Sequence, residues 1–306
     1  MASSIGVRIY TITLHNKGKS DIVPFNANLP KEAPPQFTFN FIKGHASPTR
    51  NDTAERSWYF ESKESNDFND KGYLHYGTFG FESNFVDTKT KTHNYRRKVT
   101  DVEEIPLFYE FWFPEGSDTA FVAFQSFQGR SCVGLVLSAI KELFEENNDS
   151  FRLLFTKIMP SNFQGRMYKD AEIKKLRLVK KNVSGDIASA QFDGQTPETL
   201  DYEVSFTARK KGFLGRLGAL ADSVKNNGPG LMMHEGIKFD EAVAEVKVGN
   251  KMRRVGIFGR NTDAGIIDLS DEIKRGLDGH PTFDSLSKEV DALLKDFYGT
   301  LKGISP

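Results

Sequence analysis

Twenty-six phenylalanines, against nine tyrosines and two tryptophans, constrain this chain more than any other feature. Rings of that size have to leave water, so many of them belong to a core large enough to need no staples. The 306 residues exceed the roughly 100–200 of a typical single domain, which predicts two.

The placement of the aromatic and β-branched residues predicts the elements. Ile5–Leu14 is a β-branched run, and Phe37, Phe39 and Phe41 alternate with Thr38 and Asn40, so Ile5–Leu14 and Gln36–Lys43 both read as strands. Tyr73–Phe81, Thr88–Val99, Leu107–Phe113 and Phe121–Phe127 follow as antiparallel strands. Val133, Val136, Leu137, Ile140 and Phe144 recur at helical spacing, and Phe151–Ile158 returns as a strand.

Beyond a boundary near Asn162–Tyr168, Ile173–Lys181 fits strand or helix, and Val183–Thr199 reads as a surface excursion. Tyr202, Val204 and Phe206 alternate as a strand. Gly212–Val224 reads as an amphipathic helix ended by Asn226–Gly230. Ala242–Val248, the turn Gly249-Asn250 and Met252–Phe258 give the strongest hairpin signal, and Ile266, Ile267 and Leu269 a short strand. Phe283, Leu286, Val290, Leu293, Phe297 and Leu301 trace a final helix. Leu294 and Tyr298 widen its stripe, which makes this helix the candidate contact of a homodimer. The expected fold is α+β: a β-rich domain over 1–165, with an antiparallel sheet and a helix, then a mixed α+β domain over 166–306.

Cys132 stands alone in an apolar run, so it reads as a buried small hydrophobe in a reducing compartment. The N-terminus has no charged segment followed by an apolar one. The longest apolar segment, Cys132–Ile140, is far short of the roughly 20 residues of a membrane span. A cytoplasmic location is expected, and the Asn-x-Ser/Thr triplets at Asn51, Asn148 and Asn182 are chance matches.

The six histidines are scattered singly, without the local spacing of a zinc site. Neither a nucleophile elbow nor a Walker loop occurs. Gly212–Gly218 is glycine-rich but leucine-packed, which fits helix packing better than a phosphate cradle, and Gln128–Ser131 is an ordinary strand-to-helix turn. No catalytic residue, metal ligand or cofactor is assigned.

Two Glu-x-Lys triplets, Glu172-Ile173-Lys174 and Glu245-Val246-Lys247, place a carboxylate and an ammonium on one side of a strand. With Asp240 upstream, the second has the local arrangement of a Mg²⁺-dependent PD-(D/E)xK nuclease, in which the acids hold the metal and the lysine positions water. This is the second reading of function; a protein-interaction scaffold is the third.

Charge clustering supports the first reading. The 41 basic and 41 acidic residues cancel overall, yet Arg152–Arg216 holds 13 basic against 7 acidic. Lys174, Lys175, Arg177, Lys180 and Lys181 crowd one element. Arg209, Lys210, Lys211 and Arg216 flank the start of the amphipathic helix, and Lys251, Arg253 and Arg254 follow the hairpin turn. In the first domain Lys89, Lys91, Arg96, Arg97 and Lys98 surround Tyr95. Phosphate binding needs such charges and no base-specific geometry, so duplex DNA bound without sequence preference is the expected partner.

The run Gly116–Ala123, then a helix, then Phe155–Pro160 resembles the middle of the lambda phage exclusion proteins of the RexA type. The likeness continues through Gly212–Leu217, Ala244–Arg254 and the terminal helix. The KwaB-type proteins of the Kiwa defence system are a looser analogue. The resemblance implies an anti-phage defence component that binds duplex DNA as a dimer and works with a small membrane-protein partner.

Overall fold

The structure, a computed structural model, describes residues 5–127, 131–158, 166–184, 199–209, 212–227, 233–234, 236–248, 251–258 and 265–302. In chain order the elements are β1 (Ile5–Asn16), β2 (Ile22–Val23), α1 (Pro34–Gly44), β3 (Thr49–Asn51), β4 (Arg56–Ser65), β5 (Asn69–Thr78), β6 (Ser83–Val86) and β7 (His93–Arg97). There follow β8 (Glu103–Trp112), β9 (Thr119–Phe127), α2 (Val133–Asn147), β10 (Phe151–Lys157), α3 (Arg166–Lys169), β11 (Glu172–Ser184) and β12 (Thr199–Thr207). The chain closes with α4 (Leu217–Asn227), β13 (Met233–His234), β14 (Ile237–Lys238), β15 (Glu241–Val248), β16 (Lys251–Phe258), β17 (Ile267–Asp268) and α5 (Phe283–Leu301). The fold is mixed, built on antiparallel sheet with helices.

Contacts divide the chain into two units, and not by the single cut at 165/166 that the sequence suggests. An aromatic unit comprises Tyr10–Thr156 with Lys274–Ser287, and a mixed unit comprises Met1–Ile9, Lys157–Ile273 and Lys288–Pro306. The segments expected at the boundary, at Val183–Thr199 and at the turn Gly249-Asn250 fall wholly or largely outside the described residues.

In the aromatic unit the strands run β9-β8-β5-β4-β3, each antiparallel to its neighbour from β8 onward. Phe37 and Phe144 meet edge-on at 5.1 Å, Phe60 and Tyr109 at 4.8 Å, and Phe111 and Phe124 at 5.7 Å. Each buried ring contributes about 1.5–3 kcal/mol through burial.

The segment expected as a strand at Gln36–Lys43 is instead helix α1. Pro34 and Pro35 sit in its first turn, where a missing N–H costs no hydrogen bond. Phe37, Thr38, Phe41 and Ile42 then repeat at helical spacing. Phe39, the residue that completes the period-two pattern, packs on Phe113 at 5.6 Å. Cys132 is buried just before α2, and desolvation pushes its thiol pKa well above the usual range.

Gly72 lies where β5 closes on β4. A Cβ there would stand 2.1 Å from the Glu61 carbonyl oxygen and 2.9 Å from the Lys63 nitrogen, both backbone atoms of an adjacent strand. Gly72→Ala should therefore cost about 1–3 kcal/mol, read as a lower urea midpoint. An unchanged midpoint would refute that close approach.

In the mixed unit the order is β12-β11-β15-β16-β17-β1. One face carries Ile173, Leu178, Ala242, Ala244, Val246, Val255 and Ile257, all buried. On α5, Val290, Leu293, Leu294 and Phe297 are buried as well, and Phe297 stacks on Tyr168 of α3. Leu294, expected on the outer side as a dimer contact, is 1% exposed and packed within its own chain. The helix expected from Gly212 begins only at Leu217, leaving Phe213 and Leu214 nearly half exposed. Gly218 explains the glycine in that motif: a Cβ would meet the Lys169 backbone oxygen at 2.9 Å, so it lets α4 approach α3.

Candidate nucleic-acid interface

Most of the described basic residues singled out in the mixed unit meet carboxylates. The register sets Glu172 opposite Lys247, Lys175 opposite Glu245, and Glu245 opposite Arg254. Opposite charges placed directly across strands attract one another, and here they form a ladder. Lys174 bridges to Glu172 at 2.6 Å and donates to the Gly212 carbonyl at 3.0 Å. Arg177 lies 3.6 Å from Glu203, Lys180 3.1 Å from Asp240, and Lys181 2.5 Å from Glu241. Arg216 reaches Asp170 at 3.8 Å, and Arg254 reaches Glu245 at 3.3 Å and Asp268 at 3.9 Å. A phosphate approaching any of these pairs meets nearly balanced charge. Arg209 is exposed; Lys210, Lys211 and the side chain of Lys251 lie outside the described residues, as does the turn Gln128–Arg130.

Arg253 is buried, against the expectation of a surface contact. It stands opposite Val246 on the buried face and is 8% exposed, so it cannot reach a phosphate on the surface. Its Nη1 donates to the Tyr168 hydroxyl at 3.1 Å and its Nη2 to Glu289 at 2.9 Å, while Nε lies 3.4 Å from Glu272. Burial pushes the Tyr168 hydroxyl up to about 12, against the pull of the Arg253 charge.

The nuclease constellation does not assemble around Asp240. Asp240 pairs with Lys180 at 3.1 Å and Glu245 with Arg254 at 3.3 Å, so each acid is matched to a different cation. Asp240 accepts the Lys181 backbone N–H at 2.9 Å, and the hydrogen bond from Lys174 holds Glu172 below the usual carboxylate range, with Lys247 and Arg216 adding to it. Among the described residues no three acidic, histidine or cysteine side chains are placed to hold a metal.

One cluster was illegible before the fold was known. On the sheet of the aromatic unit, the two ring nitrogens of His75 lie 2.9 Å from Glu104 and 2.9 Å from Glu61, and the ring stacks on Tyr59 at 4.5 Å. Placed between Glu61 of β4 and Glu104 of β8, the ring ties three adjacent strands together.

The basic group around Tyr95 has a different character. It forms a separate two-stranded ribbon, β6 with β7, in which Phe85 stands opposite Tyr95. The two rings lie 6.1 Å apart and are 47% and 52% exposed, unusual for large apolar groups that lie side by side. The turn is fixed from within. Asp87 accepts the backbone N–H groups of Lys89 and Thr90, each at 2.8 Å, and those bonds hold its carboxyl below the usual range, Thr90 contributing most.

The root of the ribbon is anchored by Arg97, 2% exposed. It donates to the backbone oxygens of Thr78 and Asp101, lies 3.4 Å from Glu103, and stacks 4.1 Å over Phe81. Arg96 pairs with Glu82 at 2.7 Å, and Asp101 takes the Tyr95 hydroxyl and the Lys98 N–H. The ammonium groups of Lys89 and Lys91 are exposed and make no ion pair among the described residues. A turn held by internal hydrogen bonds, paired rings and lysines without an ion pair coincide only here among the basic clusters described.

No known protein family matches the chain, and no curated protein matches it. Among the described residues no helix is long and apolar enough to cross a membrane.

Proposed function

We propose that this protein binds DNA without sequence preference and that the β6–β7 ribbon makes the contact. The observation that carries the reading is the half-exposed Phe85–Tyr95 pair, with the unpaired ammonium groups of Lys89 and Lys91 at the same tip. A two-stranded ribbon fits the major groove of a duplex, about 12 Å wide, and the lysines neutralise phosphates beside it. The exposed rings favour a second substrate, single-stranded DNA, because every unpaired base offers a face to stack on. The likeness to the phage exclusion proteins suggests the setting, an anti-phage defence component, with self-association and a small membrane partner as part of the same proposal.

A salt titration of a duplex of arbitrary sequence tests it. Affinity should fall linearly on a log–log plot and vary little between sequences. Lys89→Gln with Lys91→Gln should make the slope shallower by about 1.8, near 0.9 for each lost phosphate contact. A flat salt response, or a slope the two substitutions leave unchanged, contradicts the proposal.

A further inference from the structure

Strand β1 carries Arg8 between Val7 and Ile9, both buried and apolar. The Ile9 carbonyl accepts the Ile158 N–H at 2.8 Å, so the two isoleucines are cross-strand neighbours. Residues adjacent to such a pair point to the opposite face, which puts Arg8 and Lys157 together on that face. Gly6 shares it, and Ile266 fills the space a side chain at Gly6 would take.

Arg8 is 8% exposed, and its Nε is sealed from solvent with no hydrogen-bond partner. Among the described residues neither Arg8 nor Lys157 has a carboxylate within ion-pair distance. The other buried guanidiniums are treated differently: Arg253 has Glu272, Glu289 and Tyr168, and Arg97 has two backbone oxygens and Glu103. Burial lowers the Lys157 ammonium pKa, and the Arg8 charge lowers it further, as expected for two neighbouring cations. A buried guanidinium nitrogen without an acceptor is costly, and a neighbouring cation makes the site more so.

We infer that Arg8 and Lys157 form a binding site for a phosphate group, separate from the ribbon. The guanidinium offers a planar fork of N–H donors that matches two oxygens of a phosphate, and the lysine supplies a point charge to a third. Two cations suit a dianion better than the single charge of a carboxylate. The phosphate could belong to inorganic phosphate or to a mononucleotide, which share this chemistry.

The test is calorimetric titration of the full chain with inorganic phosphate, adenosine monophosphate and acetate in separate runs, for wild type, Arg8→Met and Lys157→Met. The inference expects saturable binding of at least one phosphate compound by wild type, weaker binding of acetate, and a loss of about tenfold or more in each variant that folds. Lys157→Met is a half-buried substitution and keeps the test available if Arg8→Met does not fold. Thermal scans add a second readout: the phosphate compound that binds should raise the wild-type midpoint and leave that of Lys157→Met unmoved. Preference for inorganic phosphate marks a free-anion site, and preference for the nucleotide an ester site; either supports the inference. No binding by wild type, acetate bound as tightly as phosphate, or phosphate bound equally by Lys157→Met overturns it. DNA binding by the ribbon stands or falls independently of all these outcomes.

Discussion

Replacing Phe85 and Tyr95 together by alanine should weaken binding of single-stranded DNA by about 2–6 kcal/mol, at least roughly 30-fold, because stacking one base on an aromatic side chain is worth about 1–3 kcal/mol. Duplex binding should fall less, since paired bases already stack on one another. The side chains are half exposed and lie on a ribbon outside the main sheet, so stability should move by no more than about 0.5 kcal/mol. Tyr95→Phe separates the roles of ring and hydroxyl. It removes the bond to Asp101 while keeping the stacking surface, and should bind as wild type does. Equal losses on single strands and duplex would mean that the rings shape the ribbon without touching bases.

Arg253→Ala should destabilise the protein by about 3–5 kcal/mol, the largest single effect expected on stability. The guanidinium stands between Glu272 and Glu289, with side chains 7% and 14% exposed, and its removal leaves two buried carboxylates facing each other. Burial already raises the pKa of Asp296 nearby, and Arg253 opposes that rise, so the variant loses a further counter-charge. Glu272→Gln with Glu289→Gln, added to Arg253→Met, should recover much of the loss, because a neutral group is buried more cheaply than a charge that has lost a counter-ion. Urea midpoints measure both. At a temperature where Arg253→Ala stays folded, its affinity for DNA should match wild type, since the side chain faces the core. Full stability in Arg253→Ala would contradict the buried network.

The parts of the fold legible in the sequence are those where local pattern and tertiary packing agree. Ala242–Val248 and Met252–Phe258 alternate around a turn, and they pair antiparallel with Ala244 opposite Val255. Val133–Phe144 and Leu286–Phe297 keep helical spacing on faces that are buried. Phe37, Phe39 and Phe41 misled because all three are buried, so alternation did not separate a strand from a helix surrounded by core. Arg253 had a readable signal. It shares the parity of Val255 and Ile257, so a strand that buries those two must bury it as well. The cancellation of the other basic charges was not readable, because Lys180 with Asp240 and Arg177 with Glu203 meet only through long-range register. The cluster around Tyr95 was visible as composition, whereas the facing ring of Phe85 became visible only once β6 and β7 were paired.

The central claim is that DNA contacts the ribbon, where charge is uncancelled, and not the charge-balanced sheet of the mixed unit. The most direct measurement compares two folded variants in one salt-titrated binding experiment on the same labelled DNA, single-stranded and duplex. The first carries Phe85→Ala, Lys89→Gln, Lys91→Gln and Tyr95→Ala; the second carries Arg177→Gln, Lys180→Gln and Arg254→Gln. The first should lose most of its affinity for both forms, while the second stays within about threefold of wild type, as expected when each lost cation was already paired. Retained binding in the first variant with loss in the second would contradict it.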